Sequence, residues 1–569
     1  MIYKQLQVEI PAKKRIRTTT PRYVYEILSR KPEKVVCVGV AIDDKMMYPN
    51  EKYYSLHIEA ILDKPLAEPN EFDNEVHLGA NLVIRSIAKK EGLLKIMDES
   101  FPGKSDILLS LVEYYLLKRD SASQLYKYYL RDHYSKLNYI PNEANLSKLF
   151  NEYLDYDMIS TFLSAWLNYR VGLKTFSNHI DIDFDSTNRN SNSKNLTLSE
   201  YGKAKVDEGL PQVNTAYFLD RESGLPIYFD VYYGSIVDIT HCKTALDKIQ
   251  AVRNGVTGHI VLDRGYFSMQ NLDYFYKNGF CFTCMGKEGK TLSRLIKDNP
   301  REEITKPINR IYKTIYGVKF KGKAFEEGKV EYNLYLFYNE ANVAYEIARI
   351  QDEIEYNAKN LVGKKDDKHY IRDTYGKRID IVADEDDVII KATPNYDYIQ
   401  KYKEEFGYFW IVSTEDITSK EILTSYRYRD LIEKEMKYSK SLCDLEKTFA
   451  SSDNAFEAKT LLGFLASIIR SLIILKLRPY FLQYSNETSQ TALLELDKIK
   501  AEDINGTFVL RFALTSTQKQ ILALFDLTLK DVYELIKDLN FTRNQTRWFA
   551  LWACEHKSLG DKREVDMIK

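Results

Sequence analysis

The chain has 569 residues, 44% of them hydrophobic, with a formal net charge of −1 and six cysteines. That length excludes a single domain and calls for about three to five. The neutral balance excludes a uniformly basic nucleic-acid binder, although a global sum hides local fields, and the scattered cysteines exclude a disulfide framework.

Basic residues concentrate in two places. Lys13, Lys14, Arg15, Arg17, Arg22, Arg30 and Lys31 crowd the first segment, and Lys287, Lys290, Arg294, Lys297, Arg301, Lys306, Arg310, Lys313, Lys319, Lys321 and Lys323 a later one. Either stretch also reads as an ordinary solvated surface. Tyrosine is abundant, 43 residues in all, and suits strands as well as base stacking. Cys281 and Cys284 form a lone CxxC that no second pair completes, so both read as core thiols in a reducing compartment. The N-terminus has no apolar signal core. The run from Leu461 to Leu477 contains Arg470 and reads as a buried helix, so no membrane partner is expected.

In chain order, Tyr23–Leu28 and Val35–Ile42 are predicted strands in a basic N-terminal β segment (1–75). Apolar residues then recur at three and four through a helical domain (76–175), a candidate for binding DNA ends. In HIDIDFDSTN (179–188), alternation predicts a strand with Asp181, Asp183 and Asp185 on one face. A polar loop is expected from Arg189 to Leu198. QVNTAYFLD and LPIYFDVYY follow as a strand pair around Glu222-Ser223-Gly224, then a helix from Thr240 to Arg253.

His259–Leu262 reads as a buried strand. Asp263 ends it, Arg264-Gly265 turns, Ser268 caps a helix that Gly279 closes, and Phe280–Met285 is the next strand. Such units make right-handed parallel crossovers with sites at the C-terminal ends of their strands. Gly286–Thr291 imitates the end of a P-loop, but Cys284 stands where its first glycine belongs, so no nucleotide is expected. Residues 287–406 read as β-rich with a helix over 340–361, and Tyr408–Thr414 as a strand leading into the next helix.

That helix is predicted from Thr418 to Leu442, opened by a Thr418/Glu421 capping box. At about 100° per residue, Tyr426, Arg429, Glu433 and Lys440 share one stripe, while Tyr428, Ile432 and Met436 form an apolar stripe for a core. Near the end, Arg543, Arg547, Trp548 and Trp552 cluster on what reads as a packing helix.

The spacing Y-x2-R-x3-E-x6-K, preceded by D-S-T at 185–187 and D-R-G-Y-F at 263–267, resembles the DDE transposases of bacterial insertion sequences, in particular the insertion-sequence-four family with its YREK signature. The resemblance covers roughly residues 78–440. It implies an α/β fold: a ribonuclease-H-like core (176–286 and 407–480), a β-rich insertion domain (287–406), and a C-terminal helical region (481–569). It implies Asp185, Asp263 and Glu433 as catalytic metal ligands, with Asp183 the rival for the first. Two Mg²⁺ (or Mn²⁺) ions would be bound, the oxygen-ligated pair that phosphodiester cleavage requires. Tyr426, Arg429, Lys440 and Arg264 would contact DNA. The implied function is cut-and-paste transposition on double-stranded DNA: cleavage at terminal inverted repeats, then strand transfer into a target. The protein would work as a homodimer on its DNA ends, in the bacterial cytoplasm at the nucleoid. Members of this subgroup often form hairpin ends with help from an aromatic residue of the insertion. This insertion has no Trp, and Trp410 lies on the strand after it. The alternatives are another ribonuclease-H-like nuclease or resolvase, and a catalytically inactive DNA-binding derivative.

Overall fold

The computed structural model describes residues 8–18, 20–30, 33–57, 73–118, 123–137, 140–173, 180–202, 209–252, 257–366, 370–402, 405–429, 447–448 and 450–556. Its N-terminal segment is a five-stranded antiparallel sheet closed around Val24, Val38, Met47 and Tyr53. Asn50 caps the short helix Glu51–Leu56 that covers this sheet.

The centre of the chain is one mixed sheet, whose strands are numbered here β1 to β9. The first three, β1 (Ile182–Ser191), β2 (Gln212–Asp220) and β3 (Leu225–Tyr233), form an antiparallel meander. Gly224 turns the second hairpin at φ +72°, a conformation glycine adopts freely. Helix α1 (Asp238–Val252) crosses to β4 (His259–Leu262), which lies parallel to β1. Helix α2 (Met269–Lys277) crosses to β5 (Cys281–Met285), parallel to β4. All four residues of β4 are buried, as expected of a parallel strand covered on both faces.

Three further strands, β6 (Arg310–Tyr312), β7 (Ile315–Lys323) and β8 (Glu331–Asn339), lie beyond β5. Helix α3 (Glu340–Leu361) follows β8. The last strand, β9 (Tyr408–Ser413), inserts antiparallel between β5 and β8 and leads to helix α4 (Ser419–Arg427). The order across the sheet is β6-β7-β8-β9-β5-β4-β1-β2-β3, with Lys447–Thr448 added beside the far end of β1.

Several expectations need correction. The loop predicted from Arg189 is still strand: β1 runs on to Ser191, paired through Asn190↔Gln212. The polar residues that suggested a loop are buried and bonded instead. The Arg189 guanidinium, for example, donates to Thr460 Oγ1 and the Tyr217 hydroxyl, both at 3.3 Å. Asp185 is therefore mid-strand rather than at a strand end. Within the predicted β-rich stretch, the chain folds back at Lys313, φ +49°, between β6 and β7.

The expected β-rich insertion of 287–406 divides in two. β6–β8 extend the central sheet, because β8 carries buried side chains on both faces and pairs with β9. Residues 340–402 make a mainly helical unit with one hairpin, Ile379–Ala383 against Ile389–Pro394, packed on Ile354, Ala358 and Leu361.

The helices over 79–172 share one core with those after 453. Strand Glu75–His77 pairs with Lys500–Ile504, so chain segments more than four hundred residues apart build the same layer. Helix α5 (Asp453–Gln483) crosses behind β3. It is the one described helix long and apolar enough to cross a membrane, yet 78% of its apolar window is buried in the protein. Trp166 fastens the helix Tyr156–Gly172 to β3 by donating to the Pro226 carbonyl at 2.9 Å.

On α5, burial pushes the Glu457 carboxyl up to about 7 from 4.5, reinforced by Asp230 and Asp453 and opposed by Lys248. The raised value means that the fold loses stability as pH climbs from the unfolded value through about 7. Glu457→Gln is expected to leave stability unchanged at pH 4 and to raise it by roughly 2 kcal/mol at pH 8, read from urea unfolding at the two pH values.

Candidate active site

The register of two parallel strands sets the site. Ile260 faces Ile182 and Val261 faces Asp183 across β4 and β1. Two residues further along each strand stand Asp263 and Asp185. By the two-residue period of a strand they share the face of Val261 and Asp183, on strands about 4.8 Å apart. Each carboxylate is oriented by the next backbone N–H: Ser186 N donates to Asp185 Oδ1 at 2.8 Å, and Arg264 N to Asp263 Oδ1 at 2.5 Å. The Tyr266 hydroxyl donates to Ser186 Oγ at 2.6 Å and ties the turn after β4 back to β1. Arg264, on that turn, is exposed.

Helix α4 covers the same face. Its capping box is as expected, with Glu421 N donating to Thr418 Oγ1 at 3.2 Å and Thr418 N to Glu421 Oε2 at 2.9 Å. Tyr335 and Asn333 on β8 hold the link into the helix by donating to the Glu415 carbonyl at 2.7 and 2.9 Å. Ile422, Leu423 and Tyr426 then pack on Val261, Tyr335, Phe337 and Ile411. Among the described residues the core contacts of α4 are this trio; Tyr428, expected to face the core, is 57% exposed, and Ile432 and Met436 lie outside the described residues.

The described helix closes at Arg427, where backbone bonds tighten to Tyr428 N→Ser425 O and Arg429 N→Tyr426 O, and the rest of the predicted span, 430–442, lies outside the described residues. Glu433 and Lys440 lie outside the described residues. Arg429 is nearly buried, with its guanidinium 5.8 Å from the centre of the Tyr426 ring. Tyr426 is buried too, and burial pushes its phenol above the usual range, with the Arg429 charge opposing.

Asp183, the rival first carboxylate, is 3% exposed. Burial pushes its carboxyl up to about 6 against the opposing charges of Arg221 and Arg429. Arg221 Nη1 lies 3.9 Å from Asp183 Oδ1, and Arg221 also donates to the Ser425 carbonyl in the last turn of α4. One guanidinium therefore links the β2–β3 turn, β1 and the covering helix. Nothing in the sequence separated Arg221 from an ordinary charged turn residue.

Other residues singled out in the sequence take these positions. Trp410 on β9 is 1% exposed, donates to the Lys287 carbonyl at 2.9 Å, and packs over Gly286, where a Cβ would fall 1.9 Å from its ring. Cys284 is buried as expected, whereas Cys281 is exposed. Lys290, from the P-loop imitation, opens an ordinary helix, Lys290–Asp298. The side chains of Arg543, Arg547, Trp548 and Trp552 lie outside the described residues.

The family described as "Transposase DDE domain" matches residues 175–469, a span that contains both strands, both aspartates and the covering helix. That is just over half of the chain, and the protein belongs to this family. Among solved structures, the cryo-EM structure of the piggyBac transposase synaptic complex with hairpin DNA is similar at 10% identity, with 81% of each chain covered. Its TM-score of 0.34 leaves that likeness without weight for the argument. No curated protein matches the chain in sequence.

Proposed function

We propose that this DDE transposase is a cut-and-paste enzyme of the insertion-sequence-four type, cleaving the terminal inverted repeats of its element and joining them to target DNA. The observation that carries the reading is the pair Asp185 and Asp263, level on adjacent parallel strands under α4. The order β3-β2-β1-β4-β5, antiparallel for the first three and parallel thereafter, supports a ribonuclease-H-like core.

The donor chemistry fits a divalent metal: carboxylate oxygens suit a hard cation such as Mg²⁺ or Mn²⁺. Asp185, Asp263 and Glu433 would hold two such ions. When bound, these supply polarisation of the attacking oxygen and stabilisation of the leaving 3′ oxygen. Asp185 is preferred to Asp183, whose carboxyl is buried and faces Arg221 at 3.9 Å. In cleavage, water attacks phosphorus and the 3′ oxygen leaves. In strand transfer, the freed 3′-OH attacks a target phosphodiester. Arg264, Arg429 and Lys440 are assigned to phosphates, the arginines through bidentate forks. Tyr426 and Arg429 are buried here, so contact from either requires the DNA-bound chain to open around the end of α4. The enzyme is proposed to act as a homodimer on paired ends, in the bacterial cytoplasm at the nucleoid.

A strand-transfer assay with pre-cleaved element ends and supercoiled target tests this reading. Joined products that require Mg²⁺ and vanish in Glu433→Gln, while end binding persists, are expected. Nicking without joining would assign a nuclease or resolvase instead, and end binding without either reaction an inactive derivative.

A further inference from the structure

Far along the chain from the two aspartates, three donor groups converge where strand Glu75–His77 meets the C-terminal sheet. His77, His133 and Asp497 each bring one ligand atom, all within 4.8 Å of one another. His133 follows the helix Ser123–Asp132, and Asp497 ends the helix Ser489–Asp497. The two imidazoles stack with centroids 4.5 Å apart and planes 6° from parallel. His133 is fully buried, Asp497 nearly so, and His77 leaves one side partly open.

Hydrogen bonds decide which ring atoms carry protons. His133 Nδ1 lies 3.1 Å from the Tyr129 carbonyl and also meets the Asp132 carboxylate. Both partners accept, so Nδ1 carries a proton and Nε2 is the ring nitrogen turned toward Asp497. That Nε2 is buried without a hydrogen-bond partner and faces Asp497 Oδ1, which is equally unpartnered, at 3.4 Å. An anionic oxygen so placed calls for positive charge beside it, from a proton on Nε2 or from an ion between the two atoms. The separation is that of two ligands on a tetrahedral ion with bonds of about 2.0–2.1 Å, which stand about 3.3–3.4 Å apart. His77 is oriented in the same manner, its Nδ1 donating to the Asp497 carbonyl at 2.6 Å. A ring nitrogen tied to a carbonyl or carboxylate is the usual support of a metal-bound imidazole.

We propose that His77, His133 and Asp497 bind one divalent transition-metal ion of the zinc class, fastening the N-terminal helical segment to the C-terminal sheet. Two imidazoles and a carboxylate suit Zn²⁺ better than Mg²⁺. All three ligands lie outside residues 175–469, so the site is separate from the family domain and independent of the function proposed above.

The test uses the full chain carrying Asp185→Asn and Asp263→Asn, which silences the carboxylate site. Titration with Zn²⁺ is expected to show one saturable equivalent and a rise in Tm of several degrees, with Co²⁺ giving the visible bands of a low-coordinate nitrogen–oxygen site. His77→Gln, at the partly exposed ligand, and Asp497→Asn should each abolish all three signals. Should Asp497→Asn fail to fold, His77→Gln alone decides. Absence of saturable Zn²⁺ binding by the folded chain overturns the proposal and leaves a proton on His133 as the positive charge. Undiminished binding by His77→Gln overturns it as well.

Discussion

Replacing Asp185 by asparagine is expected to lower the rate of Mg²⁺-dependent cleavage at element ends by about a thousandfold or more, the scale of losing several kcal/mol of charge stabilisation at a metal-dependent site. End binding should persist, because the substitution removes a negative charge that opposes phosphate. Asp183→Asn provides the contrast. Its side chain is 3% exposed and faces Arg221, so the cost should appear mainly in stability, with far more residual cleavage than in the Asp185 variant. Single-turnover cleavage and denaturant unfolding on the two variants separate these roles. Equal loss of cleavage would return Asp183 to candidacy as the first carboxylate.

The second large effect is expected at Trp410. The indole is 1% exposed, donates to the Lys287 carbonyl, and lies edge-on to Phe267 at 5.2 Å. Trp410→Ala should cost about 3–5 kcal/mol of stability, the range for truncating a buried aromatic. Trp410→Phe should recover part of it, lacking only the hydrogen bond and some volume. Because β9 feeds straight into α4, activity lost with Trp410→Ala should fall alike on intact, nicked and hairpin-ended substrates. A defect confined to hairpin ends would give Trp410 a direct role at the DNA, one its burial argues against.

Much of this arrangement was legible in the residues. The bounds of β2 and β3 follow from two β-forming runs joined at the turn Glu222-Ser223-Gly224, and match the structure end to end. The unit β4–α2–β5 was readable because Ser268 caps and Gly279 closes its helix. That placed Asp263 at the end of β4, and alternation placed Asp185 on the same strand face as Asp183. What escaped did so for physical reasons. The polar half of β1 imitates a loop, since a buried polar strand is recognised only once its partners are known. Arg221 acts across a contact of more than two hundred residues, from the β2–β3 turn to Ser425. Helix α4 was read from its Thr418/Glu421 cap and from the stripe of Tyr426, Arg429, Glu433 and Lys440, which left Ile422 and Leu423 unweighed as its core contacts. The join of β8 to β9 depends on which strands pair, and no local pattern encodes that.

The central claim is that Asp185 and Asp263, not Asp183, hold the catalytic metal. Mn²⁺ soaked into crystals of the DNA-bound protein tests it most directly through anomalous scattering. Density is expected within coordination distance of both Asp185 and Asp263, and none at Asp183. Density seated on Asp183, or none near Asp263, would contradict it.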